Sequence, residues 1–131
     1  MAEIDIMATV HDLTLEQLDK INNQEVAALS DKVMVVMFYA PWCGHCTAMK
    51  PEMDKVASQT NSKTCVCKMN CDENENATKK FGISGFPTTI VFDKGVEKKR
   101  MEGRMDCDGV MKKLSPEQKG GRHSVLFYPS R

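Results

Sequence analysis

The sequence has no apolar run long enough to cross a membrane, since none reaches the roughly 18 residues that a membrane helix needs. It has no excess charge, because 18 basic residues balance 18 acidic ones. A formal net charge of zero provides no general attraction to nucleic acid or to an anionic membrane. Internal repeats and low-complexity tracts are also lacking. These absences predict an ordinary globular protein without a nucleic-acid or membrane partner, and we expect a monomer.

The ends of the sequence carry no recognisable targeting signal. In Met1–Leu15, acidic residues precede any apolar run, which is unlike a secretory signal peptide. The closing residues Tyr128–Arg131 are unlike an endoplasmic-reticulum retention signal. These features predict a cytoplasmic protein, or an endoplasmic-reticulum protein if the chain is a domain trimmed from a longer one.

Cysteine is present at moderate density, with six in 131 residues, well below a disulfide scaffold. A chain of this length buries roughly two thirds of its unfolded surface, so its core needs no disulfide or metal. The tight pair Cys43-x-x-Cys46 therefore suggests redox or metal chemistry more than structural crosslinking. We predict one domain over residues 1–114, followed by a tail over 115–131 whose structure and role are unassigned.

Hydrophobic patterning predicts alternating strands and helices. We expect an edge strand at Met7–Val10, then a helix opened by the capping box Thr14-x-x-Gln17, with an apolar side that reaches Val26. The unbroken apolar run Val33–Tyr39 predicts a strand buried on both faces, followed by a helix starting near Cys43. The order βαβαβαββα predicts an α/β fold, a mixed central sheet with helices on both faces. Its remaining elements are expected at Thr64–Cys71, Glu75–Phe81, Thr88–Phe92, Glu97–Glu102 and Asp106–Leu114. The segment Asp93-Lys94-Gly95 predicts a hairpin turn between the last two strands.

The pair Cys43 and Cys46 lies where the buried strand passes into a helix. The first N–H groups of a helix have no partner within it and the helix dipole is positive there, so a thiolate at Cys43 is stabilised. Residues three apart share one helical face, which brings the two sulfurs together. Gly44 removes a side chain from the turn, and His45 can add a positive charge that favours the thiolate. We predict Cys43, His45 and Cys46 as the catalytic residues.

The residues around this pair resemble a known family. The segment from Phe38 to Cys46, FYAPWCGHC, is similar to the active-site segment of protein disulfide isomerase catalytic domains. Downstream, Lys68–Asp72 and Phe81–Thr88 are similar to the third strand, helix and proline loop of the thioredoxin superfamily. The resemblance covers about residues 5–114. It implies a thioredoxin fold and thiol–disulfide exchange with cysteine-containing polypeptides, with an unidentified reducing or oxidising partner and no cofactor or metal beyond the cysteine pair itself.

The resemblance also implies roles for individual residues. Cys43 is expected to be an exposed attacking thiolate and Cys46 a buried resolving thiol. Trp42 is expected to shield the pair and pack beside it. Pro87 is expected in the cis form, facing the disulfide, while the Phe86 backbone pairs with an extended substrate. The expected supporting and substrate-binding residues are Trp42, Gly44, Lys68, Gly85, Phe86 and Pro87.

The sequence departs from the family at two places. Family members carry a buried acid six positions before the first active-site cysteine, where it accepts the proton of the resolving thiol. Met37 stands there in this chain, although Lys68, at the position of the acid's usual basic partner, is retained. The mobile arginine of disulfide isomerases is also displaced, since Met105 stands at its position and Arg104 one position earlier. Disulfide exchange is still implied, but its resolving step lacks the usual proton acceptor.

Three functions fit these residues. The first is an enzyme of the protein disulfide isomerase type. The second is a module that binds clients as slowly released mixed disulfides, which Met37 favours. The third is a thioredoxin-like cytosolic reductant, which His45 disfavours because thioredoxins usually have proline at that position.

The other four cysteines are expected to be structural. Alternation places Cys65, Cys67 and Cys71 on one strand face as small buried hydrophobes, with regulatory oxidation as the alternative. Cys107, near a helix start, is expected to be an incidental surface or half-buried thiol. A zinc site shared by the two cysteine pairs is disfavoured, because a helix-start pair and mid-strand residues are poorly placed to hold one ion.

Overall fold

The computed structural model describes residues 9–29 and 31–119 of the chain. Within these residues, a central sheet has the strand order β1-β3-β2-β4-β5, in which β1, β3 and β2 run parallel and β4 and β5 pair antiparallel. The predicted α/β architecture and the order βαβαβαββα are confirmed. The elements are β1 (His11–Asp12), α1 (Leu15–Asn22), β2 (Val33–Tyr39), α2 (Gly44–Gln59), β3 (Thr64–Asn70), α3 (Asn76–Phe81), β4 (Thr88–Asp93), β5 (Val96–Glu102) and α4 (Cys107–Lys113).

Strand β2 lies in the middle of the sheet and is covered on both faces, as its unbroken apolar run predicts. Successive side chains of a strand point to opposite faces. Val35 and Met37 therefore face the core formed with α2 and α4, while Val36 and Phe38 face the core formed with α1 and α3. Burying each such side chain contributes about 1.5–3 kcal/mol, which fixes the position of β2 and of the turn that follows it.

The first two elements differ from prediction in their bounds. The edge strand is β1 at His11–Asp12, beyond the predicted Met7–Val10, part of which lies outside the described residues. It lies further along the sequence than predicted because it pairs with Cys67 and Lys68 in the second half of β3. Next to this pairing, the Leu13 N–H donates to the Lys68 carbonyl at 2.9 Å. Helix α1 has the predicted capping box at Thr14 but ends at Asn22.

Val26, predicted on the apolar side of that helix, lies beyond its end. At Gln24 the backbone φ is +63°, so the chain leaves the helical path there. Val26 still packs against the core cluster that holds Leu18 and Ile21. The apolar pattern thus correctly predicted burial, while the helix itself is shorter.

The β4–β5 connection is the predicted hairpin. Lys94 and Gly95 both have positive φ, +52° and +84°, as a type I′ turn requires. A Cβ at Gly95 would also collide with the backbone carbonyl oxygen of Asn22. Glycine is needed here for both reasons.

After α4, the described chain continues as a 3₁₀ turn at Pro116–Gln118, and Lys119 forms an antiparallel bridge with Thr60. Residues 120–131, most of the predicted tail, lie outside the described residues. The predicted boundary at residue 114 stays a prediction. In the described part of the chain, no helix combines the length and apolar character needed to cross a membrane.

Candidate active site

The turn between β2 and α2 sets the position of Cys43. The Cys43 N–H donates to the Ala40 carbonyl at 3.1 Å, and the Cys43 carbonyl accepts from Thr47 N–H at 3.1 Å as the first bond of the helix. Cys43 is the N-cap residue, in extended conformation with φ −89° and ψ 117°. Its sulfur therefore faces the first turn of α2, where the N–H groups of His45 and Cys46 have no helical acceptor.

The two thiols differ in acidity. The pKa of Cys43 is lowered, chiefly because its thiolate accepts a hydrogen bond from the Cys46 thiol, and then because the backbones of Cys46 and His45 stabilise it. Burial first, and then the hydrogen bond and charge of the neighbouring Cys43, raise the pKa of Cys46 to about 12. Of the two thiols, Cys43 therefore gives up its proton more readily.

The burial of the pair agrees with prediction only for Cys46. Cys46 is fully buried, as expected, but Cys43 is only 9% exposed rather than open to solvent. The reason is that Cys43 joins the core cluster of α2 and α4, with Phe86 packed against it. The Phe86 side of the domain thus borders the Cys43 sulfur.

The loop before β4 forms that side. The Phe86–Pro87 peptide bond is cis, as predicted, and the Cys43 thiol donates to the Phe86 carbonyl at 3.6 Å. The loop is held from below, since Gly103 N–H donates to the Pro87 carbonyl at 2.8 Å. Next to it lies an open groove of about 230 Å³, lined by Ser84, Gly85, Phe86, Thr88, Glu102 and Gly103.

Trp42 packs on the Phe86 ring of this loop. It is 70% exposed, and its ring meets Phe86 edge-on, with ring centroids 5.9 Å apart. Its indole N–H donates to a carboxylate oxygen of Asp72 at 3.3 Å. Asp72 was not singled out from the sequence, although it lies two residues after β3, whose carboxyl end lies beside that of the parallel strand β2.

The two residues between the cysteines face outward. His45 is exposed, and its backbone helps to lower the pKa of Cys43. A Cβ at Gly44 would meet nothing within 4 Å, so this glycine leaves open space beside the pair. The charge predicted for the imidazole of His45 stays a prediction.

Beneath the pair, Met37 is fully buried in the same core cluster as Cys46. Its strand neighbours are Lys68 on β3 and Thr89 on β4, and the buried Thr89 hydroxyl has no hydrogen-bond partner in the described chain. The Lys68 ammonium lies 3.9 Å from the exposed carboxylate of Asp12. Lys68 thus has an exposed acid as its partner in place of a buried one.

The residues after β5 are divided between surface and core. Gly103 has a φ of +90°, Arg104 is exposed, and Met105 packs against the core of α2 and α4. Met105, which occupies the family's arginine position, is therefore fixed by packing. Arg104, one position earlier, lies in solvent.

The remaining cysteines are all buried. Cys65, Cys67 and Cys71 lie on one face, as predicted, in the core of α1 and α3, and the sulfurs of Cys65 and Cys67 are 3.5 Å apart. The prediction for Cys107 is wrong, since it is only 4% exposed. It is drawn inward because the Glu52 carboxylate accepts its backbone N–H at 2.8 Å and fixes the start of α4 against α2.

The two cysteine pairs lie in different cores on opposite faces of the sheet. They therefore do not meet at one metal site. Over residues 9–29 and 31–119, no three histidine, cysteine, aspartate or glutamate side chains are grouped so that they could hold a metal ion.

Comparison with known proteins agrees with this geometry. The thioredoxin family model matches residues 12–116, so the chain belongs to the thioredoxin family. Its fold superposes on thioredoxin F from spinach chloroplast with a TM-score of 0.71 and 25% identity, covering 82% of this chain and 84% of that one. A thioredoxin mutant from Halobacterium salinarum superposes with a TM-score of 0.69, covering 88% and 100% of the two chains at 24% identity, which supports the fold alone.

Curated sequences place the chain near one branch of this family. It is 39% identical over 99 residues to protein disulfide isomerase-like 2-2 of Oryza sativa subsp. japonica, covering 73% of this chain and 26% of that protein. It is also 39% identical over 90 residues to protein disulfide isomerase-like 2-1 of the same plant, covering 66% and 25%. The chain thus matches about a quarter of the length of these relatives.

Proposed function

We propose that this domain is a protein disulfide oxidoreductase of the protein disulfide isomerase type, which acts on cysteine-containing polypeptides through Cys43 and Cys46. The observation that carries the proposal is the opposite shift of the two thiols. The pKa of Cys43 is lowered, whereas that of Cys46 is raised to about 12. Cys43 is prepared to attack, and Cys46 keeps its proton until the attack has occurred.

The reaction needs no group beyond the two cysteines. The Cys43 thiolate attacks one sulfur of a substrate disulfide, so that a mixed disulfide forms and the other substrate sulfur leaves as a thiolate. Cys46 then loses its proton and attacks the Cys43 sulfur. The Cys43–Cys46 disulfide forms, the remaining substrate sulfur leaves, and two electrons have passed from the domain to the substrate. The same steps in reverse oxidise a substrate dithiol.

The loop around Phe86 and Pro87 supports a polypeptide as the substrate. Cys43 sulfur lies beside the Phe86 carbonyl, which is free to pair with an extended backbone once the thiol has become a thiolate. The exposed Trp42 ring and the groove beyond Gly85 extend this surface on both sides. A second dithiol or disulfide must restore the pair after each turnover, and the compartment predicted from the sequence stays a prediction.

The proposal is tested by insulin reduction in the presence of dithiothreitol, together with a glutathione redox titration. We expect catalysed reduction by the wild type and a potential of roughly −180 mV, as in protein disulfide isomerase. Cys46→Ser should accumulate a mixed disulfide on Cys43. A wild type without turnover would contradict the proposal. A potential of roughly −270 mV would instead support the thioredoxin-like reductant, which the match to thioredoxin structures favours.

A slowly releasing binding module is a second candidate, because Met37 is buried where an acid would assist Cys46. If proton loss from Cys46 limits turnover, Met37→Glu should speed release of the mixed disulfide, by up to about 10²-fold for a placed base. Lys68, the strand neighbour of position 37, should offset part of the cost of burying the carboxylate. Met37→Gln is the matched control, since glutamine has the shape of glutamate without its charge. Equal release rates for the two variants would show that proton transfer is not limiting.

A further inference from the structure

A small cavity lies beneath the active site and is lined by charged groups. Its volume is about 150 Å³, and Val10, Met37 and Met53 form its apolar wall. Lys50, Asp54 and Lys68 line the rest. The cavity is roomy enough for water and polar enough to hold it. Charged side chains at its rim therefore stay hydrated although they lie next to the core that contains Cys46.

Among the residues that line this cavity, Lys50 lies on α2 one turn after Cys46. Residues four apart on a helix are neighbours on the same face. The Lys50 side chain is half-buried, and its ammonium lies over the ring of Tyr39, 4.9 Å from the centroid. Tyr39 is the last residue of β2, directly before the turn to Cys43. The contact with Tyr39 thus holds the cation beside the end of β2, on the same helical face as Cys46.

The groups acting on Cys46 change during the reaction. In the reduced pair, burial and the neighbouring Cys43 raise the pKa of Cys46, while the Ala40 backbone and Lys50 lower it. When Cys43 is joined to substrate, it no longer carries the thiolate charge or accepts the hydrogen bond from Cys46. Burial then remains as the opposing effect, and the Ala40 backbone and Lys50 as the favourable ones.

We infer that Lys50 is a positioning residue for the second half of the reaction, where its ammonium stabilises the Cys46 thiolate in the absence of a carboxylate at position 37. The inference rests on the proposed function, because it concerns the step that releases substrate from Cys43. Cys46 gives its proton to solvent, its thiolate bonds to the Cys43 sulfur, and the substrate leaves as a thiolate that takes up a proton. Lys50 takes no part in the proton transfer itself.

Other charged and titratable groups lie around Lys50 and Cys46. Those that line the cavity or face Tyr39 and Cys46 are Cys43, Asp54, Lys68, Asp12, Cys71 and Glu73. Asp12 and Lys68 already pair with each other. Since these groups are unchanged by a substitution at Lys50, a shift in the pH profile of release reports the Lys50 charge.

The coloured aryl disulfide dithiobis(nitrobenzoate) separates the two steps in one stopped-flow experiment. The attack of Cys43 releases the first coloured thiolate, and the attack of Cys46 on the resulting mixed disulfide releases the second. Lys50→Met should slow the second release about threefold to tenfold, as expected for loss of a partly hydrated charge one helical turn away. The first release should be unchanged. Below the pKa of Cys46, the logarithm of the second rate should rise with pH along a parallel line displaced to higher pH.

Two controls assign the effect. Lys50→Arg keeps the charge and should restore the second rate, whereas Lys55→Met removes an exposed lysine of the same helix and should change neither phase. An unchanged second rate in Lys50→Met, or a slow second rate in Lys50→Arg as well, would overturn the role of the charge. A wild type that shows no second release would instead overturn the proposed function of Cys46, so the two failures are distinguishable.

Discussion

The described chain contains two pairs of cysteines whose sulfurs approach each other, and they have different surroundings. Cys43 and Cys46 are three residues apart at the start of α2 and share a hydrogen bond. Cys65 and Cys67 are two residues apart in the middle of β3, with their sulfurs 3.5 Å apart. The pKa of Cys43 is lowered, whereas that of Cys67 is raised well above its ordinary value by the hydrogen bond with Cys65 and by burial.

Two cysteine sulfurs can therefore lie close together without either thiol being reactive. In β3 the backbone N–H groups are used by the sheet, since both neighbouring strands pair with it. At the start of α2 the N–H groups have no such acceptor, so they stabilise a thiolate. The helix-start pair is therefore suited to exchange, and the strand pair to packing between the sheet and the helices on its other face.

The largest expected difference between the two cysteine pairs is in turnover. Cys43→Ser removes the nucleophile and should abolish insulin reduction, because a hydroxyl is not appreciably ionised at neutral pH. Cys65→Ser makes the same atom change in the strand pair and should leave turnover within about twofold, as expected of a residue outside the site. The measurement is the initial rate of insulin reduction at equal protein concentration. A comparable loss in both variants would show that the strand pair takes part in exchange.

A smaller effect is expected when the surroundings of the helix-start pair alone are changed. His45→Pro removes both the imidazole and the N–H group that faces Cys43, which raises the pKa of Cys43 and disfavours the reduced form. The potential should fall from roughly −180 mV toward roughly −270 mV, a change of about 4 kcal/mol. A glutathione redox titration measures it.

His45→Gln is the matched control, because it keeps the backbone N–H and removes only the imidazole. The difference between the two variants gives the share of the backbone in stabilising the thiolate. If both variants keep the wild-type potential, His45 has no role in the redox poise of the pair.

A third difference should appear in alkylation. Iodoacetamide reacts with thiolates, so at pH 6 Cys43 should be labelled about 10²-fold faster than the thiols with raised pKa values. Cys71, whose pKa is about 11, should react faster only as the pH rises toward that value. Peptide mapping of the native protein measures the order, and labelling in denaturant should make the six cysteines similar. Faster labelling of Cys65 or Cys107 in the native protein would contradict the assignment of Cys43.

The sequence predicted the parts of the fold that depend on local pattern. The apolar run of β2, the Thr14 capping box and the Lys94–Gly95 turn each contain their own structural signal. The helix start at Cys43 and the family resemblance predicted the candidate site, including the burial of Cys46.

What the sequence did not predict depends on contacts between distant segments. Cys107 is buried because Glu52, on another helix, accepts its N–H, and Cys43 is covered because the loop of Phe86 folds against it. Asp72 reaches Trp42 only through the parallel pairing of β2 and β3. Lys50 is an exception, since its spacing of four residues from Cys46 was visible in the sequence. Its relevance became apparent only with the buried Met37 and the cavity between them.

The smallest expected effect is on the free energy of unfolding. Here the strand pair should matter more than the helix-start pair, the reverse of their effects on turnover. Cys67 is 1% exposed and packs between the sheet and the helices α1 and α3. Cys67→Ala leaves a small cavity there, and should lower the free energy of unfolding by about 1 kcal/mol while insulin reduction is unchanged. Cys43→Ala removes a sulfur at the edge of the core, beside open space, and should cost less stability while abolishing reduction.

Urea unfolding measures this difference, and it must be done on the reduced proteins because a Cys43–Cys46 disulfide would add stability that Cys43→Ala cannot have. The m-values should stay equal, so that a shift in midpoint reports stability alone. A larger loss for Cys43→Ala than for Cys67→Ala would mean that the active-site sulfur is a packing element of the core. A normal stability for Cys67→Ala together with slower insulin reduction would give the strand pair a part in catalysis, and the distinction between the two pairs would fail.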